Sequence, residues 1–232
     1  MMKVDIGIIG AMTPEVDGLI ALLDGHESET VSGVTYHTGM LGGKRVAIAR
    51  CGVGKVFAAI CAEAMIIKYS PRLIINTGVG GALAGGLKTT DIVIADKLCQ
   101  HDMDTSPLGD PKGLISGINK IYFDADARAV EILKVESKRL SLNATVGAVA
   151  SGDKFVADKS DKERIVSEFN AIACEMEGAA IAHTAFVNDT AFAVVRAMSD
   201  SADGDATMDY PTFLPIAAKN STSLTLALIK AY

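Results

Sequence analysis

Cysteine is scarce in this 232-residue chain, and Cys51, Cys61, Cys99 and Cys174 lie far apart, with no CxxC pair and no histidine at ligand spacing. That pattern argues against a zinc cluster or a dense disulfide framework and leaves buried free thiols as the plain reading. Histidine is as sparse: His26, His37, His101 and His183 stand alone in sequence, and none reads as a metal ligand. A basic stripe is also lacking. The 22 Lys and Arg residues are scattered against 28 Asp and Glu, so a net charge of −6 repels a phosphate backbone and no nucleic-acid partner is expected.

No apolar run reaches the roughly 18 residues that would indicate a membrane span. Thr13-Pro14-Glu15 interrupts the first long run and Arg196 the last, so no membrane association is expected. The amino-terminal MMKVDIGIIGAM has one basic residue and passes directly into a strand-like run, unlike a signal peptide, and a cytoplasmic location is the expectation. There is no internal repeat, low-complexity tract or charged linker, so residues 1–232 read as one domain near the upper size for a single core.

What the chain does have is apolar content: 49% hydrophobic against 22% charged residues, enough for a large core under a polar surface. Short β-branched runs recur at Val4 to Ile9, Arg45 to Cys51, Leu73 to Thr77, Asp91 to Ala95, Thr145 to Ala150, Ile172 to Glu175 and Phe192 to Ala197. Near-continuous apolar runs suit strands covered on both faces. Helix-like stretches at Val56 to Tyr69, Ala125 to Leu140, Gly178 to Val187 and Pro211 to Ala231 fall between or after them. The alternation predicts an α/β fold with helices on a central sheet. The segment from His101 to Lys120 collects Gly, Pro, Asp and Ser without periodicity, which makes it a candidate substrate rim.

Three groups of residues carry possible chemistry. In GIIGAMTPEV a strand runs into a helix start, with Thr13 as cap, Pro14 at the first helical position and Glu15 in the first turn. An acidic residue there can be catalytic or simply a partner of the helix dipole. CGVGK at 51–55 and NTGVGGALAGG at 76–86 read as glycine-rich strand-to-loop turns. A dinucleotide fingerprint would need glycine at Phe57 or Leu83, and a P-loop would need an upstream glycine and Ser or Thr after Lys55, so both fail. The glycines either admit a ligand or only bend the chain. In CEMEGAA, an extended backbone would send Glu175 and Glu177 to one side and Met176 to the other. Glu177 before a helix and Asp200 after an apolar run are difficult to read as solvated decoration.

Taken in order, GIIGAMTPEV, CGVGKVFAA, INTGVGGAL, SGDKF, CEMEGAAIAH and VVRAMSDSAD resemble the nucleosidase branch of the purine nucleoside phosphorylase superfamily, the methylthioadenosine/S-adenosylhomocysteine nucleosidases. The resemblance runs nearly end to end. It implies a single-domain phosphorylase/nucleosidase-type α/β fold, a twisted, partly barrel-like mixed sheet surrounded by helices. The implied activity is hydrolysis of the N-glycosidic bond of these nucleosides to adenine and a 5-thioribose product, serving methionine salvage and nucleoside catabolism. No metal or organic cofactor is implied, and a homodimer partner would help close the pocket around the 5′ substituent.

By motif, Glu15 would orient and deprotonate the attacking water, Asp200 would protonate or hydrogen-bond adenine N7, and Glu177 would hold the ribose hydroxyls. The helix start would keep Glu15 ionised, while Asp200 would need a less solvated setting. The resemblance places Phe155 beside adenine, Val156 at its hydrogen-bonding edge through backbone groups, Met176 on the ribose and Ser199 in support of Asp200. Met12, Val79 and Gly80 would line the site near water and sugar. Arg196 and Glu175 fit either as neighbours of the site or as a structural pair. Three features depart from the family pattern: Thr13 and Pro14 stand where acidic residues are frequent, Val79 stands where serine is common, and residues 105–117 match poorly. A phosphorylase, an aminodeoxyfutalosine nucleosidase and a non-catalytic nucleoside-binding relative are the alternatives.

Overall fold

The computed structural model describes residues 3–200 and 206–232, and in the last helix the side chains from residue 213 onward. Ten strands form one mixed sheet: β1 (Ile6–Gly10), β2 (Asp24–Val31), β3 (Val34–Leu41), β4 (Lys44–Arg50), β5 (Leu73–Ala82), β6 (Ile92–Gln100), β7 (Phe123–Asp124), β8 (Ala144–Ser151), β9 (Ala171–Glu175) and β10 (Ala191–Met198). The order is β10-β6-β8-β9-β5-β1-β4-β3-β2, with short β7 beside β6, and β10 also pairs with β5. That last pairing closes β5, β9, β8, β6 and β10 into a small barrel, from which β1, β4, β3 and β2 extend as an open wing. Closure removes sheet edges that would otherwise be exposed.

Six helices cover the sheet: α1 (Thr13–Ile20), α2 (Lys55–Tyr69), α3 (Ala127–Arg139), α4 (Lys159–Phe169), α5 (Gly178–Val187) and α6 (Ala206–Ala231). Helices α2 and α5 bury Ala58, Met65, Ile181 and Ala185 in one apolar cluster with Ile9 and Ile74. On the opposite side, Val16 and Leu19 of α1, Leu133 of α3 and Leu224 and Leu228 of α6 pack with Ile8, Ile75 and Val195. Alternate residues of β1, β5 and β10 therefore enter two different cores, which is why these strands read as unbroken apolar runs. A third cluster joins Ile165 and Phe169 of α4 to Ala150, Val156 and Cys174. All four cysteines are buried thiols.

Several boundaries differ from the sequence reading. Met12, not Thr13, caps α1, and Thr13 is its first helical residue. NTGVGGA is not a turn but the second half of β5, which continues to Ala82. Helix α6 begins at Ala206, before Pro211. The β2–β3 hairpin and α4 were not foreseen: β2 is exposed along nearly its whole length and carries no apolar alternation, and α4 buries only Lys162, Ile165 and Phe169.

Candidate active site

The parallel strands β1, β5 and β10 end together, and the end of β9 meets them where Gly81 pairs with Cys174. Ligand sites in α/β sheets form at such carboxyl ends. Here they enclose a cavity of about 200 Å³.

Glu15 lies at the third helical position of α1 and is 3% exposed. Its Oε2 accepts hydrogen bonds from the amides of Ala11 (2.7 Å) and Met12 (2.8 Å), and its Oε1 accepts one from Val79 (3.0 Å). The side chain of Val79 is thus immaterial to this contact, because its backbone makes it. Burial raises the Glu15 pKa above the usual carboxylate value, and the charge of Arg196 and the three amides lower it only in part. The amides at the helix start thus act against a larger effect of desolvation.

Glu175 ends β9, and the chain turns immediately after it. Its carboxylate accepts from Arg196, from Ser151 and from the amides of Glu177 (3.1 Å) and Gly178 (2.7 Å), at the start of α5. Because the backbone is not extended beyond Glu175, Met176 does not point away from its neighbours: Glu175, Met176 and Glu177 all line the cavity. Glu177 caps α5 and accepts from the Gly54 amide at 2.8 Å. Gly54 has φ of 103°, so the CGVGK turn uses a glycine conformation to aim that amide. Burial, and then the charge of Glu175, push the Glu177 carboxyl up to about 7.

Arg196 is 1% exposed and lies behind the wall, not on it. It donates to the Asn76 side chain, to the Asn76 carbonyl (3.2 Å) and to Glu175. Burial opposes its charge, but Glu175, Glu177 and Glu15 together keep it protonated. Of the open readings for Glu175 and Arg196, Glu175 borders the site and Arg196 supports it from within the core.

Asp200 follows β10, is 2% exposed and meets the ammonium of Lys162 at 3.3 Å. The residue before it is held by the Ser199 amide and hydroxyl, both donating to the Gly80 carbonyl (3.0 and 3.3 Å). Ser199 thereby supports Asp200 through the backbone. Ser201, Ala202 and Asp203 of the same motif lie outside the described residues. Phe155 is half exposed at the cavity mouth, and Val156 is buried beside it.

Glu15, Glu177, Asp200, Met176, Phe155, Val156, Ser199, Val79, Gly80, Met12 and Glu175 therefore all line one cavity, and Arg196 alone of the expected residues does not. Sequence reasoning missed Ala11, Val53, Gly81, Lys154 and Cys174, which also line it although each falls inside a quoted motif. The Cys174 thiol is pushed up to about 12, chiefly by burial, so it is a packing group and not a thiolate nucleophile. No residue of 101–120 lines the cavity, which corrects the expected rim. That segment folds back on α4 through Lys112 and Glu168, while Asp102 binds Lys55 and the Asp153 amide. Among the described residues no three His, Cys, Asp or Glu side chains are grouped to hold a metal ion.

Residues 5–230 match the family model of the phosphorylase superfamily. The chain is 35% identical to a 5′-methylthioadenosine/S-adenosylhomocysteine nucleosidase of Shewanella sediminis, over 97% of this chain and 98% of the relative. It is 37% identical to one of Haemophilus influenzae over the same shares. Among solved structures, the nucleosidase of Neisseria meningitidis in complex with methylthio-immucillin-A superposes with a TM-score of 0.95 at 32% identity, covering 98% of this chain and 99% of that one. A futalosine hydrolase of Helicobacter pylori superposes with a TM-score of 0.93 at 32% identity, covering 98% of each chain. With its closed barrel, its buried carboxylates and these relatives, the chain belongs to the phosphorylase superfamily and, within it, to the 5′-methylthioadenosine/S-adenosylhomocysteine nucleosidase family.

Proposed function

We propose that this chain, as one domain, hydrolyses the N-glycosidic bond of 5′-methylthioadenosine and S-adenosylhomocysteine, releasing adenine and a 5-thioribose product. The observation that carries this reading is the convergence of Glu15, Glu177 and Asp200, far apart in sequence and each nearly inaccessible, on one cavity. Glu15, as the carboxylate, takes the proton of the attacking water, and its burial makes it a stronger base than an exposed carboxylate. Glu177 accepts from the ribose hydroxyls, and Asp200 gives a proton to adenine N7 as the C1′–N9 bond breaks. Phe155 and Val156 flank the base, and Met176 packs on the sugar. The carboxylates of Glu15 and Glu177 on the cavity wall favour a transition state with positive charge on the ribose.

Hydrolysis fits better than phosphorolysis. A phosphate needs free backbone or cationic donors, yet the amides of Ala11, Met12 and Val79 already bind the Glu15 carboxylate. The one basic side chain on the cavity wall among the described residues, Lys154, is paired with Asp161. A second copy of the chain is the proposed partner, seated on the α2–α5 face where Val56, Ile60, Ile67 and Val187 are exposed. The location proposed is the cytoplasm and the role methionine salvage; no helix among the described residues is long and apolar enough to cross a membrane.

Incubation of the purified chain with methylthioadenosine, with and without phosphate, tests the reading by adenine release. Equal release in both buffers supports it. Formation of a sugar 1-phosphate only with phosphate would make the protein a phosphorylase, and binding without turnover would make it a binding module. Faster turnover of aminodeoxyfutalosine would move the substrate assignment toward the futalosine hydrolase relative.

A further inference from the structure

Lysine is costly to withdraw from water, and α4 withdraws one. Lys162, Ile165 and Phe169 are the buried residues of this helix and share its inward face. Ile165 and Phe169 enter an apolar cluster with Val156 and Cys174, while Lys162, 6% exposed, occupies the same stripe. An unpaired ammonium there would be strongly unfavourable. Its Nζ lies 3.3 Å from Oδ2 of Asp200, and both side chains are nearly excluded from solvent.

The placement is directional. Asp200 lines the cavity and Lys162 does not. A Cβ on the cavity residue Gly81 would stand 3.4 Å from Oδ1 of Asp200 but 3.8 Å from Oδ2, so the oxygen that meets the lysine is the one farther from Gly81. The carboxyl thus stands between an ammonium and the cavity. The other buried cation, Arg196, serves Glu175 instead.

We propose that Lys162 is a positioning residue for the leaving-group acid: it fixes the Asp200 carboxyl and stabilises the carboxylate that forms as Asp200 gives its proton away. The inference rests on the nucleosidase reading and extends it to a residue outside the cavity. As the C1′–N9 bond breaks, its electron pair goes to the purine and N7 takes the proton of Asp200. The carboxylate left behind is held against the Lys162 ammonium, and Asp200, which lines the cavity, regains a proton from solvent after the products leave. This uptake balances the proton that the attacking water loses through Glu15.

The test compares Lys162→Met, Lys162→Arg, Asp200→Asn and the Met–Asn double variant in phosphate-free buffer. Lys162→Met is expected to lower kcat on methylthioadenosine on the order of 10²-fold, the lower range for a general acid, with KM changed only a few-fold. On a 5-thio-substituted 4-nitrophenyl riboside, whose leaving group departs without a proton, the loss is expected to shrink to a few-fold. Lys162→Arg keeps the charge and is expected to recover part of the rate lost in Lys162→Met, and the double variant is expected to be no slower than Asp200→Asn. Unchanged kcat in Lys162→Met, equal losses on both substrates, or multiplying losses in the double variant would overturn the proposal. If circular dichroism shows Lys162→Met unfolded, the ratio of losses on the two substrates in Lys162→Arg decides in the same way. Absence of adenine release by the wild-type chain would instead overturn the nucleosidase reading itself.

Discussion

Three amides reach the Glu15 carboxylate only because residue 78 has no side chain: a Cβ there would stand 2.5 Å from Oε1. The glycine of the NTGVGG motif thus answers a close approach by another part of the protein, neither a bend nor a nucleotide phosphate. Gly78→Ala is expected to destabilise the fold by about 1–3 kcal/mol through overpacking and to lower kcat by about 10²-fold through displacement of the base; thermal denaturation and adenine release measure the two. Glu177 gives a pH test. Its folded value, about 7, exceeds the ordinary 4.5 of an exposed carboxyl, so the folded state holds the proton more tightly than the unfolded one. The contribution of Glu177 to stability is then most favourable below 4.5, falls as pH rises to 7 and is constant above, at a cost of about 3 kcal/mol. Glu177→Gln removes that cost while its amide oxygen still accepts from Gly54. The variant is expected to melt higher than wild type at alkaline pH, to lose the advantage below about 4.5, and to bind nucleoside worse. An advantage independent of pH would show that Glu177 does not titrate in this way. Glu177 and Asp200 stood out as acidic residues at the ends of apolar runs, whereas Glu15 was open between a catalytic group and a helix-dipole partner until the resemblance to a family singled it out. Lys162 was not, because a lysine in a polar helix gives no sign of which face turns inward.

Strands buried on both sides announce themselves, which is why β1, β4, β9 and β10 lie close to the ranges expected from their apolar runs. Burial also explains the failures. The edge strand β2 has no core to satisfy, and its hairpin is marked only by Ser32 and Gly33 with positive φ. Strand β5 continues through glycines that pattern reasoning takes for a turn. The loop after β6 looked like a rim, yet it acts as a clasp: Asp102 accepts from Lys55 at 2.6 Å and from the Asp153 amide at 2.9 Å, tying α2 to the turn that carries Phe155 and Val156. Asp102→Ala is expected to raise KM about 5- to 10-fold, the worth of roughly one hydrogen bond, with a smaller effect on kcat. Steady-state kinetics separates the two, and a change confined to kcat would contradict the clasp.

Barrel closure by β10 onto β5 was not readable from local pattern, since it is a pairing of distant segments, and the resemblance to a family implied only a partly barrel-like sheet without the strands that close it. At the scale of the whole molecule, the apolar α2–α5 face, with Ile60 43% exposed, is the surface proposed to meet a second copy. Ile60→Glu is expected to shift the protein to monomer in analytical ultracentrifugation and to reduce activity; a wild type that is already monomeric would contradict that partner. The claim on which everything else depends is that water, activated by Glu15, attacks the nucleoside. It is tested most directly by Glu15→Gln on methylthioadenosine in single-turnover assays, with and without phosphate. Hydrolysis predicts that the variant still binds the nucleoside and releases adenine about 10²–10⁴-fold more slowly than wild type, whatever the phosphate concentration. Activity within a few-fold of wild type, or recovery of the rate when phosphate is added, would contradict it.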